Sequence, residues 1–524
     1  MIALRHEIHY GDRLMRCIVD RPKNVIALLD DAVARRPDGI AIVAGDRRIS
    51  YRALAAEVEA IAAHFAAHGL VSGERIGLLL GNRPEFLVTI LAAARLGLIV
   101  VPMTVRQSLD EVSFMLTQCG AAAIVYDVAF AAIVPELPAL RARFVVDGAP
   151  AFHPVAAADL PPAPVVDVAS EAPFCILYTS GTTGRPKGAV LTHLGVLHSV
   201  LHYEDAFAFQ EGEVGALAVP ASHVTGLVAV LLTALRVAGT AVILEGFKAR
   251  SFLETMARER VTFTLMVPAM YHLCLLDPEL GNFDLSSWKL GGFGGAPMPS
   301  ATIARLAEAL PGLTLCNAYG ATETTSPATI LPRGQAATRP DSVGKPVPCA
   351  DIVVVDADGC EVPPGERGEL LIAGPMTIPG YWDNPDANRT SFVGGYWRSG
   401  DIGSIDADGY VSIHDRMKDV INRGGYKIYC IEVENVIAQL PQVIECAVTG
   451  YPDPVLGERV QAFIHADPAR PVSAEDLRAA CAARLSDYKV PERFTFLDAP
   501  MPRNANGKIV KSALREAATL PGLG

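Results

Sequence analysis

The stretch Tyr178-Thr179-Ser180-Gly181-Thr182-Thr183-Gly184-Arg185-Pro186-Lys187-Gly188, YTSGTTGRPKG, decides how the rest of the chain is read. The apolar run Phe174–Tyr178 leads into it, so the stretch reads as a loop leaving a buried strand. Glycines let backbone N–H groups curl around phosphate oxygens, hydroxyls add donors or a magnesium ligand, and a lysine adds charge. The spacing is not G-x-x-x-x-G-K-[ST]. Arg185-Pro186 separates Gly184 from Lys187, and Gly188-Ala189 follows the lysine. The loop is therefore read as a grip on phosphates, and its spacing leaves open which residue does the chemistry.

Outward from the loop, strand and helix signals alternate. Arg75–Leu80 reads as a buried strand, Pro84–Leu96 as a helix opened by Pro84 and closed by Gly97, and Leu98–Pro102 as the next strand. Ser50–His68 is an alanine-rich helix with a serine at its start and Gly69 past its end. This alternation predicts α/β architecture with largely parallel sheets. Leu160–Ala169 has linker composition. Past Val343, short strands (Ile352–Val355, Gly368–Ile372, Tyr410–Ile413) between DADG and PPGERG turns read as a compact β-rich unit. Mixed α/β character then returns, with helices Ile431–Leu440 and Ala474–Leu485 and strands Glu445–Tyr451 and Arg459–His465.

A chain of 524 residues is too long for one core, and half hydrophobic with 19% charged suits a large folded enzyme. A net charge of -12 speaks against a broad nucleic-acid interface but not against a nucleotide in a local site. The ten cysteines are scattered without a C-x-x-C pair, which excludes a zinc framework and suggests reduced core residues. MIALRHEIHYGDR carries charges where a signal peptide needs an apolar segment. The apolar runs around 86–101 and 226–235 are broken by Arg95 or are short, so no membrane insertion and a cytoplasmic location are expected. His193, His198 and His202 could suggest a metal, but they are not accompanied by a set of acidic or cysteine ligands and read as helix decoration.

Further motifs follow the loop in order: PASHVTGL (220–227), GGAP (294–297), NAYGATETT (317–325), YWRSGD (396–401), DRMKDVINRGGYKIYCIEVE (415–434) and PRNANGK (502–508). Taken singly they are weak. Tyr-Gly-Ala-Thr-Glu reads equally as a helix start, Asp401 as a turn residue, Lys508 as a solvated lysine and His223 as a core histidine. As an ordered set spanning most of the chain, they resemble the adenylate-forming superfamily of acyl-CoA synthetases, peptide-synthetase adenylation domains and beetle luciferases.

The resemblance implies a large N-terminal domain of stacked α/β sheets over 1–415, with a β-rich subdomain at about 343–414. A hinge at 416–419 and a small mobile α/β C-terminal domain over 420–524 complete it. It implies ATP, Mg2+ and coenzyme A as cofactors, a small carboxylic acid as substrate and, at family level, a homodimer. The phosphate loop becomes Thr179, Ser180, Gly181, Thr182, Thr183, Gly184 and Lys187. Thr322, Glu323 and Lys508 become catalytic, with Glu323 and Thr182 as magnesium ligands. Gly295, Ala296, Pro297, Asn317, Ala318 and Tyr319 would hold adenine, and Asp401 with Arg416 the ribose. His223, Val224, Gly292, Phe293, Gly294, Gly320 and Ala321 would line the acyl pocket. Gly424, Gly425, Tyr426 and Lys427 would line the coenzyme A channel after rotation about Lys418.

Two positions depart from the family's pattern: Asp415 stands where glycine is common and Cys430 where proline is frequent, which bears on loop geometry rather than on reacting groups. No aspartate opens the PASHVTG turn, which disfavours an amino-acid substrate. The expected activity is acyl-adenylate formation followed by transfer to coenzyme A. A ligase loading a carrier protein is the alternative, and a nucleotide sensor without catalysis is a more distant one.

Overall fold

The structure is a computed structural model and describes residues 2–147, 160–179, 185–503 and 509–519. Two sheets enclose a layer of buried helices. In the first, the strand order is Lys187–Thr192, Pro173–Thr179, Ile99–Pro102, Arg75–Leu79, Ala121–Asp127 and Ala142–Val146. All neighbours are parallel except the first pair, which is antiparallel and carries the phosphate-loop stretch between its strands. The second sheet runs through parallel strands Ile40–Ala44, Thr240–Ile243, Val214–Leu217, Phe263–Met266, Leu290–Phe293 and Thr314–Tyr319. Strands such as IVVP and FTLM are buried at every position, as expected for parallel sheets covered on both faces.

Helix Pro84–Arg95 is buried along most of its length, with Pro84 in its first turn and Gly97 at φ +67° just beyond it. Ser50 caps helix Tyr51–Ala67 by accepting the Ala53 N–H. Helix His193–Phe207 rests on strand Lys187–Thr192 of the first sheet and on a π-helix, Thr225–Leu232. That π-helix in turn packs on strands Val214–Leu217 and Phe263–Met266 of the second sheet, so one core joins both sheets.

The β-rich region is not a detached unit. Strand Thr329–Ile330 pairs antiparallel onto Thr314–Tyr319, and Ser342–Pro346 pairs antiparallel onto Thr329–Ile330 and hands the hydrogen-bonded path on to Val411–Arg416, Tyr396–Ile405, Gly368–Ala373 and Asp351–Val355. The final segment builds its own sheet from Ile421–Arg423, Tyr426–Ile428, Val443–Asp453, Gly457–Ala466 and Arg493–Phe496, with helices Cys430–Ile437 and Ala474–Ala482 packed around a separate core. All ten cysteines are free and eight are buried. Among the described residues no helix is long and apolar enough to cross a membrane.

The three helix histidines are not decoration. His193, His198 and His202 are fully buried. His193 accepts the Val25 N–H at 3.2 Å, and His198 accepts the Ile18 N–H at 3.1 Å while its other nitrogen meets the Leu194 carbonyl at 2.9 Å. Burial pushes the first two down to about 4, so they stay neutral struts that tie the N-terminal segment to the core. Their partners are remote backbone groups, which a one-dimensional reading does not reveal.

Candidate active site

The parallel register of the second sheet delivers successive loops to one edge, the carboxyl ends of its strands. Val214–Leu217 leads to the turn holding His223 and Val224. Leu290–Phe293 leads to Gly294–Pro297, and Thr314–Tyr319 to Gly320–Thr325. Glycines make the convergence tight. A Cβ on Gly294 would lie 2.3 Å from the Ala318 carbonyl oxygen, and one on Gly226 2.3 Å from that of Pro220. Gly295 adopts φ +77°, outside the comfortable range of other residues. Gly292 and Phe293 are buried strand residues, and Gly292 leaves room for the Leu265 side chain, where a Cβ would come within 2.7 Å. Their packing role is therefore explicit. His223 takes the Thr225 N–H on Nδ1 at 3.3 Å, so in its neutral form the proton sits on Nε2.

Three motifs far apart in sequence meet at Asp401. Its Oδ2 accepts the Tyr319 hydroxyl at 2.7 Å and its Oδ1 receives Arg416 Nε at 2.7 Å. Asp401 and Arg416 face each other across adjacent antiparallel strands, so the pair follows from register. The Asp401 side chain is buried and its backbone N–H is held by Ser399 Oγ at 3.0 Å. Burial and the Asp401 carboxylate push the Tyr319 phenol well above its ordinary value, so it remains a donor.

A second carboxylate sits one turn further along the same chain. Glu323 lies in the short 3-10 turn Thr322–Thr324, closed by the Ala321 N–H bonding to Thr324 Oγ1 at 2.9 Å. Its Oε1 accepts the Tyr381 hydroxyl at 3.0 Å and the Thr179 hydroxyl at 3.5 Å. The last contact joins the two sheets, because Thr179 ends the strand that enters the phosphate loop. Glu323 Oε2 has no hydrogen-bond partner among the described residues. A buried carboxylate with one oxygen anchored and the other unpartnered is a donor set that suits a hard cation such as magnesium. Lys187 opens the outgoing strand, with Nζ 5.1 Å from the Tyr381 ring centre.

Ser180, Gly181, Thr182, Thr183 and Gly184 of the loop lie outside the described residues, as do Asn504, Gly507 and Lys508. Gly424, Gly425, Tyr426 and Lys427 are exposed, and both glycines have positive φ in the turn between Ile421–Arg423 and Tyr426–Ile428. Tyr426 stacks on Tyr488 of its own segment, and among the described residues none of the four hydrogen-bonds to the Asp401 or Glu323 side chain. Lys418 is exposed in a turn closed by the Asp419 N–H bonding to the Arg416 carbonyl at 2.9 Å. Tyr381 escaped the sequence reading. Its only signal is an aromatic pair in the loop PGYWDNP, which reads as a turn.

The chain belongs to the AMP-binding enzyme family, the adenylate-forming superfamily that its motifs resemble. Residues 29–382 match the model of the AMP-binding enzyme and residues 432–508 that of the AMP-binding enzyme C-terminal domain. A feruloyl-CoA synthase from Amycolatopsis sp. is 34% identical over 91% of this chain and 96% of its own length. The fatty acid–[acyl-carrier-protein] ligase ScoC from Streptomyces coeruleorubidus is 33% identical over 92% of this chain and 93% of its own. Among solved structures, the anthranilate CoA ligase AuaEII in complex with anthranoyl-AMP superposes with a TM-score of 0.89 at 26% identity, covering 95% of this chain and 98% of that one.

Proposed function

We propose that the protein is an ATP-dependent carboxylate–CoA ligase that forms an acyl-adenylate and then an acyl-CoA thioester, releasing pyrophosphate and AMP. The observation that carries this reading is a pair of anchored carboxylates, one held by Tyr319 at the end of strand Thr314–Tyr319 and the other in the turn that follows it. Asp401, set by Tyr319 and Arg416, offers an acceptor for ribose hydroxyls, and Glu323, set by Tyr381 and Thr179, offers an oxygen for magnesium beside the phosphate loop. Thr322, in the same turn as Glu323, would serve the α-phosphate of ATP held between them. Magnesium, when bound, neutralises phosphate charge.

In the first half-reaction the acid's carboxylate oxygen attacks the α-phosphorus in line, and the bond to the pyrophosphate oxygen breaks. Thr322 and Lys508 are assigned to stabilise the charge that develops there, and Lys187 with the 179–184 loop to hold the departing pyrophosphate. In the second, rotation about Lys418 brings residues 424–427 to the site, the coenzyme A thiol attacks the acyl carbon and AMP leaves. The exposed position of 424–427 supports reading the present orientation as one that precedes this rotation. No step needs a nucleophile from the protein.

The residues assigned to the acyl pocket, His223, Val224, Gly292, Phe293, Gly294, Gly320 and Ala321, include no lysine or arginine, which supports a monocarboxylate. The test is pyrophosphate release over a panel of aliphatic and aryl acids, with and without coenzyme A. Acid-dependent release together with a CoA thioester is expected. Release without thioester on coenzyme A, but with transfer to a carrier protein, would overturn the assignment in favour of carrier loading.

A further inference from the structure

Tyr381 links the two groups that would grip the triphosphate. The segment Gly380–Trp382 runs alongside the strand that leaves the phosphate loop. Tyr381 bridges Ala189, the Val190 N–H donates to the Gly380 carbonyl at 3.2 Å, and the Trp382 N–H donates to the Gly188 carbonyl at 2.7 Å. From the other side Asn388 fixes the Tyr381 backbone, accepting its N–H at 2.7 Å and donating to its carbonyl at 3.1 Å. Upstream, Arg13 holds the carbonyls of Ile378 and Pro379, and the Ile378 N–H donates to the Glu323 carbonyl at 2.9 Å. The ring is thus buried and held on both flanks.

We propose that Tyr381 is a positioning residue that sets the magnesium-facing carboxylate and the phosphate-facing lysine relative to each other. Its hydroxyl meets Glu323 Oε1 at 3.0 Å, and its ring lies 5.1 Å from Lys187 Nζ. An ionised carboxylate only accepts, so the phenol is the donor. Oε1 is therefore committed to Tyr381 and Thr179, and Oε2 is the oxygen that would face the metal. The ring face attracts the lysine ammonium and holds its long side chain over the same aromatic whose hydroxyl meets the carboxylate. One aromatic residue thereby sets both ends of the grip without touching the nucleotide.

This inference rests on the assignment of Glu323 and Lys187 made above, and calorimetry separates the two. The probe is an ATP analogue with a methylene bridge between the α- and β-phosphorus, titrated with and without Mg2+ into wild type, Tyr381→Phe, Tyr381→Leu and Glu323→Gln. Tyr381→Phe is expected to cut the tightening that Mg2+ confers by about tenfold while leaving metal-free binding unchanged. Tyr381→Leu should also weaken metal-free binding by about threefold, through loss of the ring under the lysine. The double variant Glu323→Gln/Tyr381→Phe should lose no more than Glu323→Gln alone, which makes the result independent of any general loss of stability. Equal weakening of Tyr381→Phe with and without Mg2+, or additive losses in the double variant, would overturn the positioning role. Full Mg2+ tightening in Glu323→Gln would instead overturn the metal assignment itself.

Discussion

Asp415 and Cys430 face each other across the expected hinge, and the prediction drawn from them is quantitative. The Cys430 N–H donates to Asp415 Oδ2, while Oδ1 accepts the Arg416 N–H at 2.7 Å. The Cys430 thiol donates to the Asp419 carbonyl at 3.0 Å. Asp415 belongs to the strand before Lys418, and Cys430 starts the helix after it, so the proposed rotation about Lys418 would part them. A hydrogen bond to a charged group contributes about 2 kcal/mol, so its loss should shift the balance of orientations by roughly thirtyfold toward the rotated form. Cys430→Pro is the clean perturbation. Proline is tolerated in the first turn of a helix, and it lacks the N–H that Asp415 needs.

The same contact predicts a pH dependence. Burial raises Asp415 from its ordinary 3.8 to about 6, against the opposing charge of Lys511. Above about 6 the carboxylate is charged; because burial in this arrangement favours the neutral form, protonation as pH falls through that value favours the present orientation over one that exposes Asp415. The fold responds with the same sign. A raised carboxyl pKa contributes stability fully below 3.8, and that contribution, about 3 kcal/mol, is lost as pH rises through about 6. Single-turnover rates of the two half-reactions, the second started from supplied acyl-adenylate, report the orientations. Cys430→Pro at pH 7.5 should raise the ratio of thioester formation to adenylation by roughly tenfold or more. Wild type should move the opposite way between pH 7.5 and 5.5, and Asp415→Asn should be flat. Ratios within twofold of wild type in both variants, at both pH values, would refute the reasoning.

Two simpler variants test the division of labour between the half-reactions. Lys508→Ala should reduce adenylation by about a thousandfold while sparing thioester formation from supplied acyl-adenylate, and equal loss of both steps would contradict its role. Lys418→Pro should do the reverse. Its N–H donates to no backbone carbonyl among the described residues, so the turn itself survives, but a fixed φ blocks the rotation; unimpaired thioester formation would remove Lys418 as the pivot.

Elements signalled by local chemistry were legible. Ser50 caps its helix, Pro84 opens one, and the apolar run before Thr179 is the buried strand expected of it. Asp401 and Arg416 could be placed in one site only through the family resemblance, yet their pairing follows from strand register alone. What escaped depends on contacts between segments distant in sequence. His193 and His198 find partners 168 and 180 residues away, so no spacing along the helix could separate a core strut from decoration. Tyr381 meets Glu323 across 58 residues from a loop whose composition signals only a turn. The two departures from the family pattern show the limit most directly. Asp415 and Cys430 read as unrelated local changes, but an aspartate needs a donor and a position vacated by proline regains one. The fold places the carboxylate of the first on the N–H of the second, and each substitution is intelligible only beside the other.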